Sequence, residues 1–157
     1  MGLFDKKNST NTHITKVKQI LDAALPDINW IEDGPGNWGT RNESVMVRVM
    51  VDTETDSESP KVAVVAFTLI NARDEDALYR HLMREEVYPM NRWEVEASDE
   101  KGKVNVYLVN RMLIADLDAS ELGYAVMSTA IIADNVDEEL QKRFGGQRCI
   151  EWFEWDE

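Results

Sequence analysis

From Lys103 to Gly146 the sequence runs through an apolar strand, a helix cap, one long amphipathic helix and a double-glycine stop, and the fold has to be built around that unit. Val104, Val106, Leu108 and Val109 read as a strand, and Leu113, Ile114, Ala115 and Leu117 carry the chain to Asp118. Asp118 followed by Glu121 has the form of a capping box, in which each side chain satisfies a backbone N–H at the helix start. Leu122, Val126, Thr129, Ala133, Val136, Leu140 and Phe144 then recur at steps of three and four, which gathers them on one face. Gly145-Gly146 supplies the left-handed stop. This is a core helix.

The surface it needs lies upstream. Val45, Val47, Val49 and Val51 alternate with Met46, Arg48, Met50 and Asp52, so one face of that strand is wholly β-branched and core-bound. Lys61 to Ile70 is apolar almost throughout, which predicts a central strand covered on both faces. Trp93, Val95 and Ala97 alternate with Arg92, Glu94 and Glu96, and Asp99-Glu100-Lys101-Gly102 turns that strand into the one before the long helix. Ile28 to Glu32 predicts a short strand, and Asp33 to Asn37 a turn.

Two further helices complete the order. Residues 13 to 25 are expected as the first, with Ile14, Val17, Ile20, Leu21 and Ala24 on one face, Asn11 or Thr12 as cap and Pro26 forbidding continuation. Residues 1–12 are then a flexible lead. A second helix is expected from Asp74 to about Val87, with Ala77, Leu78, Leu82 and Met83 inward and Pro89 closing it. The order α-β-β-β-α-β-β(-β)-α predicts an α+β domain, an antiparallel sheet packed by helices, occupying residues 13–157 as one unit.

Composition narrows the partners. The chain of 157 residues has the size of one core, and its 30 acidic against 17 basic side chains give a formal charge of −13, which repels phosphate backbones and anionic membrane surfaces. Nucleic acid and membrane are not expected as partners. Cys149 is the only cysteine, so neither an internal disulfide nor a polythiolate zinc site can form, and a cytoplasmic location is expected. The N-terminal residues lack a signal-peptide apolar stretch, and no apolar run is long enough to span a bilayer.

Motifs of chemistry fail on their context. Gly34-Pro-Gly36-Asn-Trp38-Gly39 spells G-x-G-x-x-G, but that motif works by opening a helix toward a pyrophosphate, and here the valine strand follows. Asp52, Glu54, Asp56 and Glu58 space their carboxylates like the start of a calcium loop, yet Ser57 stands where the turn glycine belongs and Ala63 where the bidentate Glu belongs. His13 and His81 have no partner at ligand spacing, and Cys149 has no base beside it in sequence. No catalytic residue, cofactor or metal ligand is expected.

Residues 91 to 146 resemble the YbjN family of small bacterial proteins. The likeness rests on the strand pair from Trp93 to Leu113, the Ala115-Asp-Leu-Asp118 lead into the helix, Ser120-Glu121-Leu122, Ala133-Asp134, and Glu139-Leu140 leading to Arg143-Phe144-Gly145-Gly146. The order of elements over nearly the whole chain is similar to the type III secretion chaperone fold, to which that family is assigned. The family is described as sensory transduction regulators. The resemblance implies a non-enzymatic protein-interaction or chaperone-like regulatory module that binds a protein or peptide and pairs as a homodimer, through the second helix bearing Tyr79 and Met83 or through a sheet edge. Residues expected to meet the partner are Met46, Arg48 and Met50 on the second face of the valine strand, and Trp152, Phe153 and Trp155 in the acidic, aromatic tail. The alternative is a small-molecule sensor or unrecognised enzyme using the turn from Gly34 to Arg41.

Overall fold

The computed structural model describes the backbone of residues 3–52, 59–85 and 90–152, and the side chains of residues 10–52, 59–85 and 90–151. Six strands form one antiparallel sheet: β1 (Ile31–Glu32), β2 (Asn37–Asn42), β3 (Val45–Val51), β4 (Lys61–Arg73), β5 (Asn91–Ala97) and β6 (Lys103–Leu113), in the spatial order β1-β2-β3-β4-β6-β5. The helices are α1 (Leu3–Ala24), α2 (Asp76–Arg84), α3 (Ala119–Phe144) and the short α4 (Cys149–Trp152).

The valine face of β3 and Val62, Val64 and Ala66 of β4 meet Val17 and Leu21 of α1 and Leu122, Val126, Ala130 and Ala133 of α3 in the larger core cluster. Fully burying each of these valines and leucines contributes about 1.5–3 kcal/mol. A smaller cluster joins Leu69 and Ala72 of β4, Val104 and Val106 of β6, Leu78 and Leu82 of α2, and Leu140 and Phe144 of α3. At about 1.5 Å per residue α3 is roughly 40 Å long. It therefore crosses the whole sheet, with its first half packed beside α1 and its last turns beside α2. The Asp118 carboxylate accepts from the Glu121 N–H at 2.8 Å, and Gly145 takes φ 70° with its N–H on the Gln141 carbonyl, so both ends stop where their local residues dictate.

Several expectations need correction. The first helix starts at Leu3, so most of the expected lead is helical backbone, and Asn11 and Thr12 lie inside the helix instead of capping it. No Gly or Pro separates Leu3 from Ala24, and once a helix is nucleated each further turn costs little. The first strand shrinks to Ile31–Glu32. In α2, Leu78 and Leu82 are buried as expected, but Ala77 is exposed and Met83 is 86% exposed, because a helix of nine residues presents only a narrow stripe to one side of the sheet.

The long apolar run of β4 has a different cause from the expected one. It is central, but from Val62 to Phe67 only one face is covered: Val62, Val64 and Ala66 are fully buried, whereas Ala63, Val65 and Phe67 on the other face are half-buried; from Thr68 to Ala72 every residue is buried, as expected of a strand covered on both faces. Register shifts between Phe67 and Leu69 and between Leu69 and Ala72 switch which residues point to the helices, and Asn71 takes φ 57° within that stretch. A bulge changes the parity of the strand, so apolar residues are needed at both odd and even positions.

Candidate functional site

The glycine turn is the first place to look, and it is structural. Gly34 and Gly36 adopt φ 83° and 73° in the tight connection between β1 and β2, with no helix following. A Cβ on Gly36 would stand 3.0 Å from Ile14 Cγ1 and 3.2 Å from Val51 Cβ, so the glycine lets the turn lie against α1. Trp38 is 1% exposed within the larger core, so its ring has no open face toward the turn. The calcium-like stretch beyond Asp52 lies outside the described residues. Among the described residues no group of three or more His, Cys, Asp or Glu side chains could hold a metal ion. Among the described residues no helix is long and apolar enough to cross a membrane.

The second face of β3 divides. Met46 is 5% exposed, because the segment leading into α4 covers it: Ile150 donates its N–H to the Ser44 carbonyl at 3.1 Å, and Cys149 packs against the Met46 backbone, fully buried. Burial pushes the Cys149 thiol up to about 11, so it is an inert packing group. Arg48 and Met50 remain at the surface on a sheet face that carries no long helix. In register across it lie Met46, Phe67, Tyr107 and Glu94, then Arg48, Val65, Val109 and Arg92, then Met50, Ala63 and Arg111. The Phe67 and Tyr107 rings meet edge to face at 5.1 Å, the Arg48 guanidinium lies 5.7 Å from the Phe67 ring centre, and both Arg111 nitrogens bond the two Glu94 oxygens. Those bonds hold the Glu94 carboxyl below the usual carboxylate range. Of the expected tail residues, Trp152 ends α4, while Phe153 and Trp155 lie outside the described residues.

A cleft that sequence reasoning missed opens on the helical side. Tyr124, Met127 and Ile131, at steps of three and four, form a second apolar stripe on the outer face of α3 and are 61%, 39% and 49% exposed. Beside them Asp27 to Asn29, Thr40 to Asn42 of β2, and Val126, Met127 and Ala130 of α3 enclose a cavity of about 320 Å³. Among the described residues β1 pairs with β2 only opposite Trp38 and Gly39, so the outer edge of β2 at Thr40 and Asn42 lies along this cleft. The signal was present in the sequence as apolar residues on both faces of one helix, but the buried stripe masks it.

A polar site closes the hairpin end of the sheet. The Ser44 hydroxyl, in the β2–β3 turn, is within hydrogen-bond distance of both Asp134 and Asp137 of α3, and the Ser44 N–H donates to Asp134 at 2.9 Å. A hydroxyl has one hydrogen, so both contacts are satisfied together only when one carboxyl carries its own proton. Asp137, 1% exposed, is the one that burial drives toward the protonated form; the Ser44 bond and the Arg148 charge oppose this, and the Asp134 charge adds to it. Arg41, Glu43, Glu138 and Arg148 line the same recess. The arrangement fastens turn to helix.

Solved structures that share the fold include three secretion-chaperone or related complexes. The Yersinia pestis type III secretion chaperone SycH, in complex with a stable fragment of YscM2, is similar with a TM-score of 0.52 and 14% identity, covering 78% of this chain and 98% of that one. The HopA1–SchA chaperone–effector complex is similar with a TM-score of 0.53 and 9% identity, over 80% and 95% of the two chains. The ExsC–ExsE complex is similar with a TM-score of 0.50 and 17% identity, over 80% and 94%. No curated protein sequence matches the chain. The family model described as T3SS (YopN, CesT) and YbjN peptide-binding chaperone 1 matches residues 13–151, and the chain belongs to that family.

Proposed function

We propose that this protein is a non-enzymatic chaperone of the bacterial cytoplasm that holds an extended peptide segment of a client in the cleft between α3 and the edge of β2. Met127, where the exposed stripe of α3 reaches the cleft, and the β2 edge at Thr40 and Asn42, which no strand among the described residues pairs, carry this reading. A strand edge offers backbone donors and acceptors to an extended chain, and an apolar floor takes alternate side chains, which is the physics of strand addition. Membership in a peptide-binding chaperone family supports it. The protein acts as a homodimer, and the outward face of α2 bearing Met83, 86% exposed, supplies the contact.

The test is binding to an array of short peptides of varied sequence, comparing the wild-type protein with M127E and I131E. Peptides with bulky apolar residues at alternate positions are expected to bind the wild type and to be lost in both variants, with the fold retained by circular dichroism. Equal binding by all three proteins overturns the assignment of the cleft. Light scattering of wild type and M83E addresses the pairing: a dimer is expected for the first and a monomer for the second.

A further inference from the structure

The Ser44 recess and the α3 cleft share their two walls. Thr40 and Asn42 of β2 line the cleft, and Ser44 follows Asn42 by two positions. On the helix, Val126, Met127 and Ala130 line the cleft, and Asp134 follows Ala130 by one turn, about 6 Å along the axis. The contacts of Ser44 with Asp134 and Asp137 therefore tie the strand wall to the helix wall at the end of the cleft.

The tie is complete in one protonation state. With a proton on Asp137, that carboxyl donates to Ser44 Oγ and the Ser44 hydroxyl donates to Asp134. Without it, a carboxylate oxygen faces an oxygen lone pair, and Asp134 and Asp137 become like charges three residues apart on one helix face. Asp137 is almost wholly buried, so water does little to offset that charge. Of the charged groups around it, Asp134 opposes ionisation, while Arg148, from the segment after α3, favours it. Glu138 on α3 and Arg41 and Glu43 on the hairpin line the same recess, and the Cys149 thiol is held neutral by burial. Two bonds need no proton on Asp137: the Ser44 N–H on Asp134 at 2.9 Å and the Ile150 N–H on the Ser44 carbonyl at 3.1 Å. Ionisation therefore loosens the turn without releasing it.

We propose that the Ser44–Asp137 hydrogen bond is a proton-dependent latch on the width of the cleft: with Asp137 protonated the turn is fastened to α3 and the cleft is preformed for an extended peptide, and with Asp137 ionised the walls separate and binding weakens. The peptide half of this rests on the cleft being the client site; the movement of the turn does not. A preformed cleft spares the ordering of its walls on binding. By linkage, a peptide that selects the fastened state promotes proton uptake at Asp137. Because burial makes the folded state hold that proton more tightly than an exposed carboxyl would, affinity is highest near the ordinary carboxylate value of about 4 and falls as pH rises through the folded value.

Two measurements on the full chain test it. Spin labels on Glu43→Cys and Ile131→Cys, both exposed positions, report the distance from turn to helix, and the buried Cys149 thiol takes no label. The distance is expected to be short and narrowly distributed toward acid pH and to lengthen and broaden as pH rises. D137N, whose amide donates to Ser44 at every pH, should stay short throughout, and S44A should be broad throughout. The second measurement is the affinity of unlabelled protein for a rhodamine-labelled peptide of alternating leucine and threonine, which has no titrating side chain. Wild type should weaken several-fold as pH rises, D137N should hold its affinity, and S44A should be weak at all pH. Circular dichroism reports that each variant still folds. Parallel pH responses of the distance in wild type and D137N overturn the proposal, as does a distance that S44A leaves unchanged. A distance that responds as expected with no peptide bound at any pH upholds the latch and overturns the client assignment of the cleft.

Discussion

The Ser44 hydroxyl hydrogen-bonds to the Asp137 carboxyl across 93 positions of sequence, and that contact fastens the β2–β3 turn to the second half of α3. It is buried and polar, so it is costly to disturb: a buried group left without its partner loses about 1–3 kcal/mol. Ser44→Ala removes the hydroxyl from both carboxyls while leaving the backbone N–H on Asp134. The expected loss is in that range, read from urea midpoints at unchanged slope. A loss within about 0.5 kcal/mol, the spread of ordinary surface substitutions, would show that the contact is not formed in solution.

The same cluster sets a pH dependence. Asp137 is raised by burial, so the folded state holds its proton more tightly than the unfolded chain does. Its contribution to stability is full below the ordinary carboxylate value of about 4 and is lost as pH rises through the folded value. Glu94, lowered chiefly by the Arg111 bond, behaves oppositely: its contribution is present above the unfolded value and lost as pH falls through the folded one. Urea midpoints across pH should therefore show wild type losing ground to D137N on the alkaline side of about pH 4, and losing its advantage over E94Q on the acid side. Parallel pH profiles for wild type and D137N would contradict the buried, raised carboxyl.

Two glycines with the same φ of 83° should respond very differently to alanine. At Gly34 a Cβ meets nothing within 4 Å, so only backbone strain is added, about 1–2 kcal/mol. At Gly146 a Cβ would collide with the Ile70 carbonyl oxygen and stand 2.9 Å from the Ala72 nitrogen, which breaks the paired bonds between Ile70 and Gln147. Gly146→Ala should unfold more easily than Gly34→Ala by at least the further ~1–3 kcal/mol of unmade buried hydrogen bonds. Differential scanning calorimetry of the two variants decides it.

The register of α2 can be tested at two positions five residues apart. Leu78 is fully buried against Leu140 and Phe144 in the smaller core cluster, so Leu78→Ala should cost about 2–5 kcal/mol. Met83 is exposed in the monomer, and Met83→Ala should change monomer stability by no more than about 0.5 kcal/mol. Comparable losses at both positions would return Met83 to the core where the sequence periodicity had placed it.

What the sequence determined by itself was whatever rests on local signals. The Asp118 cap, the stripe from Leu122 to Phe144 and the Gly145 stop are each written within a few residues, and α3 forms between them. The alternating valines of β3 likewise fix which face is core before any partner is known. Tertiary structure decided the rest, because it depends on contacts that no window of sequence contains. The parity changes in β4 follow from bulges opposite β6, and α1 extends to Leu3 although the expected caps lie at Asn11 and Thr12. Met46 is closed off by a segment that returns from the far end of the chain, while Met50, four residues on and on the same face, stays open. The cleft beside Met127 exists because β1 stops after two paired residues, and Asp137 is buried because Ser44 arrives beside it; periodicity assigns a residue to a face, but only the packed neighbours determine whether that face is covered.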